Sequence, residues 1–178
     1  MGAVEKTAEK LLRQDMLSVY DGLLSLSGLP LMLAGEDGEL LHEFVPMPDF
    51  CKYVCRGGLA GACPEYRRHL EGEAEYQCSR GLSCLVFPVT HEGKAAAYIV
   101  GGIAFREEHA YRKYMQDVPS LAEERELEPE FAAKALSLLQ TVSGEKLNAH
   151  AQLCGYIAQN LALHLSGGRS PAQSVEKD

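Results

Sequence analysis

The chain has 178 residues, of which 46% are hydrophobic and 24% charged, a composition typical of one globular domain with its own core. Its formal net charge of -8 repels phosphate backbones and anionic lipid headgroups, so we expect no direct nucleic-acid binding and no membrane association. Apolar runs fall short of the ~20 residues that span a bilayer, and the N-terminus is charged and amphipathic rather than a signal peptide. We therefore expect a cytoplasmic location.

The first predicted element is a long helix over residues 4–27. Its apolar residues recur at alternating spacings of four and three, which predicts one buried stripe that consists of Leu12, Met16, Val19, Leu23 and Leu26. Gly28 follows as a C-terminal cap.

Two pairs of apolar runs, each pair separated by a turn-rich segment, predict two β-hairpins. The first pairs residues 29–34 with residues 39–44, and the second pairs residues 82–89 with residues 95–104. We expect the second hairpin to lie at the centre of the sheet.

Four further helices are predicted. Asp49 caps a short helix, Pro64 begins another, and a third covers residues 129–139. The fourth begins near Ser143 and carries an apolar stripe, which either faces the core or forms a dimer seam: Leu147, Ala151, Cys154, Ala158, Leu161 and Leu165.

This order of elements predicts an α+β fold, an antiparallel sheet flanked by helices as in PAS-like and GAF-like domains, with long N- and C-terminal helices. Residues 1–166 form one domain in this interpretation. Residues 167–178 have no apolar periodicity and are predicted to be a disordered tail or a linker.

A group of cysteines in the first half is the strongest chemical signal. Cys51, Cys55, Cys63 and Cys78 follow the spacing C-x3-C-x7-C-x14-C, and the first two lie one helical turn apart. Thiolates hold zinc ions and iron–sulfur clusters, so these four are candidate ligands of a metal centre. His69 is a further candidate ligand.

Two other interpretations of the cysteines stay open. Free cysteine often packs as a small hydrophobic residue, and Cys84 and Cys154 fit core packing best. The second interpretation is a catalytic cysteine, but the sequence identifies no histidine as its general base and contains no common catalytic motif. We therefore expect no enzymatic activity and keep a cysteine-dependent enzyme as an alternative.

Several motifs resemble the PocR sensory domain over most of the chain. They are Pro48-Asp49-Phe50-Cys51, residues 61–63, Tyr76-Gln77-Cys78 with Gly81-Leu82, Phe87-Pro88-Val89 and Gly101-Gly102. In this resemblance Cys51, Cys63 and Cys78 correspond to cysteines of the family. Cys55 is additional, and Ile103 replaces a glutamine that follows the paired glycines in the family.

The resemblance implies a PAS-related sensor of small molecules such as short diols, attached to or acting on a signalling output protein. The chain shows no output domain, so we expect a stand-alone sensor or an excised fragment. Apolar and aromatic candidates for a ligand pocket are Phe50, Tyr76, Leu85, Phe87, Tyr98 and Val100. We expect occupancy of the site, by a ligand, a zinc ion or an iron–sulfur cluster, to be relayed through the terminal helices, which are also the expected homodimer interface.

Overall fold

The computed structural model describes residues 14–58, 61–106 and 108–167. The predicted helix over residues 4–13 and the predicted tail beyond residue 167 lie outside these ranges. The elements, in chain order, are α1 (Gln14–Ser27), β1 (Leu31–Gly35), β2 (Leu40–Val45), a π-helical segment (Phe50–Cys55), a 3-10 helix (Pro64–His69), β3 (Glu75–Gln77), β4 (Ser83–His91), β5 (Lys94–Ala104), α2 (Glu108–Glu124), α3 (Pro129–Ser137) and α4 (Gly144–Leu165). No helix within the described ranges is both long and apolar enough to cross a lipid bilayer.

The five strands form one antiparallel sheet in the order β2-β1-β5-β4-β3. This confirms the predicted α+β fold, with the long strand β5 at the centre of the sheet. The β4–β5 hairpin closes through Glu92 and Gly93, whose φ angles of 50° and 76° are both positive, as a type I′ turn requires.

A bulge in β5 changes the phase of its side chains. Between the pairs Leu85–Gly101 and Ser83–Ala104, β5 contains one more residue than β4, and Gly102 at this point has a φ of 85°. Because of the extra residue, Val100 and Ile103 face the same side of the sheet although they are three positions apart.

The sheet has two differently covered faces. The terminal-helix face packs against α1 and α4, and its strand residues are Leu31, Leu33, Leu85, Val89, Ala97 and Ile99. The cysteine face packs against residues 50–82, α2 and α3, and its strand residues are Met32, Ala34, Cys84, Val86, Val100 and Ile103. The four predicted pocket residues of β4 and β5 are divided between the faces: Leu85 and Phe87 lie on the terminal-helix face, and Tyr98 and Val100 lie on the cysteine face. The reason is the β4–β5 register, which pairs Phe87 with Ile99 and Val86 with Val100.

Helix α1 buries a different stripe from the predicted one. Leu17 and Leu24 pack against the sheet, whereas Val19, Leu23 and Leu26 are 64%, 52% and 85% exposed. The spacing of four and three is therefore present on α1, but in the described residues it marks an outward-facing apolar stripe.

Helix α4 buries its predicted stripe against the terminal-helix face. Five of the six predicted residues are buried and Ala151 is partly buried, so this stripe belongs to the core. The helix begins at Ser143, whose hydroxyl accepts a hydrogen bond from the backbone nitrogen of Lys146 at 3.2 Å. The opposite side of α4 exposes Tyr156 and Leu163.

Two elements were not predicted. Strand β3 has only three residues and pairs with one edge of β4. Helix α2 follows β5, where the polar sequence gave no clear apolar period, and it contains Pro119. It nevertheless buries Val118, Leu121 and Ala122 against the cysteine side of the core.

Candidate functional site

A cavity of about 290 Å³ lies between the cysteine face and the segment that connects β2 with β4. Five of the six cysteines line it: Cys51, Cys55, Cys63, Cys78 and Cys84. The rest of the wall is mostly apolar, and consists of Met32, Pro64, Tyr76, Leu82, Val100 and Ile103, with Arg56, Glu65, Ser79 and Arg80 as the polar members. We call this space the cysteine cavity.

The π-helical segment positions Cys51 and Cys55. Phe50 and Val54 on the same segment are fully buried and anchor it in the core. Arg125, which directly follows α2, donates from Nε to the carbonyl oxygen of Val54 at 3.3 Å and from Nη2 to that of Cys55 at 3.1 Å. These bonds hold the last carbonyl groups of the segment from outside it.

Asp49 holds the predicted capping position before this segment, but its side chain makes no capping hydrogen bond. Instead the backbone carbonyl of Pro48 accepts a hydrogen bond from the nitrogen of Lys52 at 3.0 Å. The start of the segment is thus fixed through the backbone.

Cys63 immediately precedes the 3-10 helix. That helix is anchored by Tyr66, whose ring is fully buried and whose hydroxyl donates to the carbonyl oxygen of Gly35 at 3.3 Å. The carboxylate of Glu65 accepts hydrogen bonds from the backbone nitrogen of Ser79, at 2.7 Å, and from the Ser79 hydroxyl. Glu65 therefore ties the helix that follows Cys63 to the loop that follows Cys78.

The pairing of β3 with β4 brings Cys78 and Cys84 together. Tyr76 lies opposite Cys84, and Cys78, two residues further on, points to the same side of the sheet. The backbone nitrogen of Cys78 donates to the carbonyl oxygen of Leu82 at 2.9 Å, which closes the loop between the two cysteines.

Hydrogen bonds couple the thiols in two pairs. The bond with Cys84 lowers the pKa of Cys78 to about 7 and raises the pKa of Cys84 well above its usual value. Likewise, the bond with Cys51 lowers the pKa of Cys55 and raises the pKa of Cys51. Burial raises the pKa of the fifth thiol, Cys63. Each pair therefore contains one thiol whose pKa is raised and one whose pKa is lowered.

Comparison with known proteins gives one family assignment. Residues 11–165 match the family described as "Sensory domain found in PocR". The chain belongs to the PocR sensory-domain family. No curated protein and no solved structure matches it. Family membership confirms the resemblance and makes the chain a ligand-sensing domain with a role in signalling.

The structure divides the six predicted ligand-pocket residues of this PocR domain into three groups. Tyr76 and Val100 line the cysteine cavity. Phe50 lies in the core beside it, and Tyr98 is on the same face but packs on Tyr66, with ring centroids 5.5 Å apart. Leu85 and Phe87 lie on the terminal-helix face, where the bulk of the sheet separates them from the cavity.

Other wall residues were missed from the sequence. Ile103 is the clearest, because simple alternation from Val100 places it on the other face and only the bulge at Gly102 returns it to the cavity. In the resemblance described above it stands where the family has a glutamine, and its side chain makes the wall apolar there. Arg56, Glu65 and Arg80 also line the cavity, although nothing in their sequence context distinguished them from surface charges.

The cysteines converge on one cavity, but their geometry does not support a metal centre. Among the described residues, no group of three cysteine, histidine or acidic side chains is arranged to hold a metal ion. His69 stacks on Tyr76, with ring centroids 4.3 Å apart, and is not part of the cavity wall. Cys84 and Cys154 are buried as predicted, although Cys84 also reaches the cavity.

Proposed function

We propose that the cysteine cavity binds a small, largely apolar ligand and that the PocR domain reports its occupancy through the terminal helices. The observation that carries this proposal is a mostly apolar cavity with a few polar groups inside a sensory domain. Its volume of about 290 Å³ is at the lower end of small-molecule sites, so the ligand is a short molecule. Short diols fit this description, because their carbon atoms suit the apolar wall and their hydroxyl groups suit the thiols and Arg80.

A chain of contacts leads from the cavity to the terminal helices. Ile103 lines the cavity, and Phe105, two residues further along, exchanges backbone hydrogen bonds of 2.8 Å with Gln140 and Val142. Val142 directly precedes Ser143, the N-cap of α4. A displacement of the end of β5 is therefore transmitted to the start of α4.

Gln140 also connects α4 with the end of α1. Its side-chain nitrogen donates to the carbonyl oxygen of Gly28, and its side-chain oxygen accepts from Nζ of Lys146 at 3.3 Å. One amide group thus contacts both terminal helices next to the end of β5. In the proposed mechanism, ligand binding changes the packing of these helices, and an output protein responds to the change.

The outward-facing stripe of α1 is the proposed homodimer interface. Val19, Leu23 and Leu26 repeat at spacings of four and three, which is the pattern of a helix that packs against an identical helix. The second terminal helix, α4, also exposes large apolar side chains, Tyr156 and Leu163. A second copy of the chain is therefore the occupant that fits best.

Ligand binding is tested by thermal unfolding in the presence of propanediols and butanediols. A ligand at about 100 times its Kd adds about 2.7 kcal/mol of stability, which raises the Tm of a domain of this size by about 5–10 °C. Ile103→Phe fills the cavity and should abolish this shift, whereas Tyr98→Phe, on the same face but outside the wall, should retain it. Absence of any shift in the wild-type chain would refute the diol assignment.

The relay is tested with Gln140→Ala and hydrogen exchange. The variant should keep the diol-induced Tm shift, but the diol should no longer slow amide exchange at the start of α4. An identical exchange response in the variant and the wild type contradicts this role of Gln140.

The homodimer is tested by light scattering. The wild-type chain should have the mass of two chains, and Leu23→Asp should have the mass of one. Leu138→Asp is the matched control, since Leu138 is equally apolar and 66% exposed but lies after α3. A dimer that survives Leu23→Asp rules out this interface.

A thiolate-held zinc ion or iron–sulfur cluster is the second candidate for the site. The observation in its favour is that five thiols line one cavity. Against it, the described residues contain no group of three cysteine, histidine or acidic side chains arranged to hold a metal ion. Elemental analysis and an absorption spectrum of anaerobically purified protein decide the matter. Iron or zinc at a fixed ratio to the protein supports a metal centre, and protein with neither metal excludes it.

A further inference from the structure

Cys78 and Cys84 form a pair that bridges two segments of backbone. Cys84 lies within β4 and is only 5% exposed, whereas Cys78 lies just beyond β3 and is partly exposed. Their side chains point to the same side of the sheet on paired segments, and both line the cysteine cavity. A reagent that enters the cavity therefore reaches a wall that carries both thiols.

The backbone between these cysteines is a short turn at the edge of the sheet. The connecting loop contains Gly81, with a φ of 75°, and turns through a hydrogen bond of 2.8 Å from the Gly81 nitrogen to the carbonyl oxygen of Cys78. Strand β3 beyond it has three residues and lies at the edge of the sheet. A shift of this loop, against the hydrogen bonds that hold Ser79 to Glu65, brings the two sulfurs to bonding distance.

The other pair is held differently. Cys51 and Cys55 lie on one helical segment, and its last carbonyl groups are fixed by the hydrogen bonds of Arg125. A bond between these sulfurs requires a change in a segment that is anchored at both ends. The two pairs therefore provide an internal comparison within one cavity.

We propose that Cys78 and Cys84 are a site of reversible oxidation by hydroperoxides, and that a disulfide forms between them. The Cys78 sulfur attacks the terminal oxygen of the hydroperoxide, the O–O bond breaks, and an alcohol (water, from hydrogen peroxide) leaves with the Cys78 proton. The Cys84 sulfur then attacks the sulfenic acid on Cys78, the S–O bond breaks, and water leaves with the Cys84 proton. Two thiols lose two electrons to one hydroperoxide.

Oxidation at this site changes the cavity itself. The disulfide replaces a partly ionised thiol and a thiol donor with a neutral, apolar group, and it links the end of β3 to β4. Because the closure needs a shift of the loop, the bond is under strain and is readily reduced by small dithiols. The site gives the domain a second input, oxidant level, in addition to the ligand of the proposed function.

The sequence makes the experiment unambiguous, because every cysteine falls in a different tryptic peptide and Arg80 separates Cys78 from Cys84. The reduced full-length chain is exposed to equimolar hydrogen peroxide, alkylated with N-ethylmaleimide and digested. Mass spectrometry should detect the peptide of Cys78 joined to that of Cys84, and treatment with dithiothreitol should remove the linkage.

Variants identify the roles of the two sulfurs. Cys78→Ser should abolish the linkage, while Cys84→Ser, or Cys84→Ala if the serine variant does not fold, should leave a Cys78 sulfenic acid that reacts with dimedone. Cys51→Ser and Cys154→Ser are controls that should retain the linkage. A link between Cys51 and Cys55, a link to Cys63, or irreversible oxidation of Cys78 without any link would overturn the proposal.

Ligand binding and oxidation fail independently in this design. Diol-induced Tm shifts are measured on the reduced chain, and the disulfide is measured without diol. If the disulfide forms but no diol shifts the Tm, only the proposed ligand is refuted. If diols shift the Tm but no disulfide forms, only the oxidation site is refuted.

Discussion

The two faces of the central sheet are closed in different ways. On the terminal-helix face, regular helices supply periodic apolar side chains, and residues such as Leu33, Leu85 and Leu161 are fully buried. On the cysteine face, short irregular segments are held by individual hydrogen bonds: Arg125 donates to backbone carbonyl groups, and Glu65 accepts from a backbone nitrogen. Periodic packing fills space, whereas separate polar anchors leave the cysteine cavity open and direct five thiols into it.

The largest expected effect is a loss of stability on truncating Leu33 or Met32, which are neighbours on β1 and point to opposite faces of the sheet. Truncation of a fully buried leucine or methionine costs about 2–5 kcal/mol. Leu33→Ala should lie near the upper end, about 4 kcal/mol, because it opens a new cavity in a filled layer. Met32→Ala should cost about 2 kcal/mol, because Met32 already lines a cavity and has fewer packing partners to lose.

Equilibrium unfolding in urea measures both losses, with unchanged slopes as the check that only stability has altered. Equal losses, or a larger loss for Met32→Ala, would show that the two faces are packed alike.

A smaller effect is expected from the polar anchors. Arg125→Ala removes two hydrogen bonds to the carbonyl groups of Val54 and Cys55, and should cost about 2 kcal/mol. It should also increase the rate at which maleimides modify Cys55, because the π-helical segment is then held less firmly. Arg68→Ala is the control, an exposed arginine of the 3-10 helix whose loss should change stability by less than about 0.5 kcal/mol. If Arg125→Ala has the same stability and the same Cys55 reactivity as Arg68→Ala, the Arg125 hydrogen bonds do not hold the π-helical segment.

The smallest effect concerns pH and the terminal-helix face. His150 of α4 is 3% exposed, and burial, together with the charge of Lys146, lowers its pKa from the usual 6.5. The unfolded chain therefore takes up a proton at a higher pH than the folded chain, so stability falls as pH decreases below about 6.5. Tm should fall less steeply with acidification in His150→Leu than in the wild type. Parallel pH profiles would assign the acid sensitivity to other groups.

Much of the fold was predictable because its signals are local. Both hairpins and α4 follow from apolar runs, turn residues and one consistent helical period. Helix α2 was missed because its buried residues are few and Pro119 lies inside it. The stripe of α1 was found, but a period alone does not tell whether a stripe meets the core or another molecule, and here Leu17 and Leu24 face the core instead.

The candidate site was predictable in its chemistry and not in its geometry. The clustering of Cys51, Cys55, Cys63 and Cys78 in the sequence identified the region. Their arrangement in pairs, and the part played by Cys84, depend on the β3–β4 register and on tertiary hydrogen bonds. No rule based on spacing contains that information, so the predicted metal centre stays a prediction.

Gly102 divides β5 into two phases of side-chain alternation. The residues after this glycine have two roles. Ile103 lines the cysteine cavity, and Phe105 exchanges backbone hydrogen bonds with Gln140 and Val142 just before α4. A change that restored regular alternation would exchange the inward and outward sides of both residues together. A single glycine with a positive φ angle thus determines both which side chain lines the cysteine cavity and how β5 joins the start of α4.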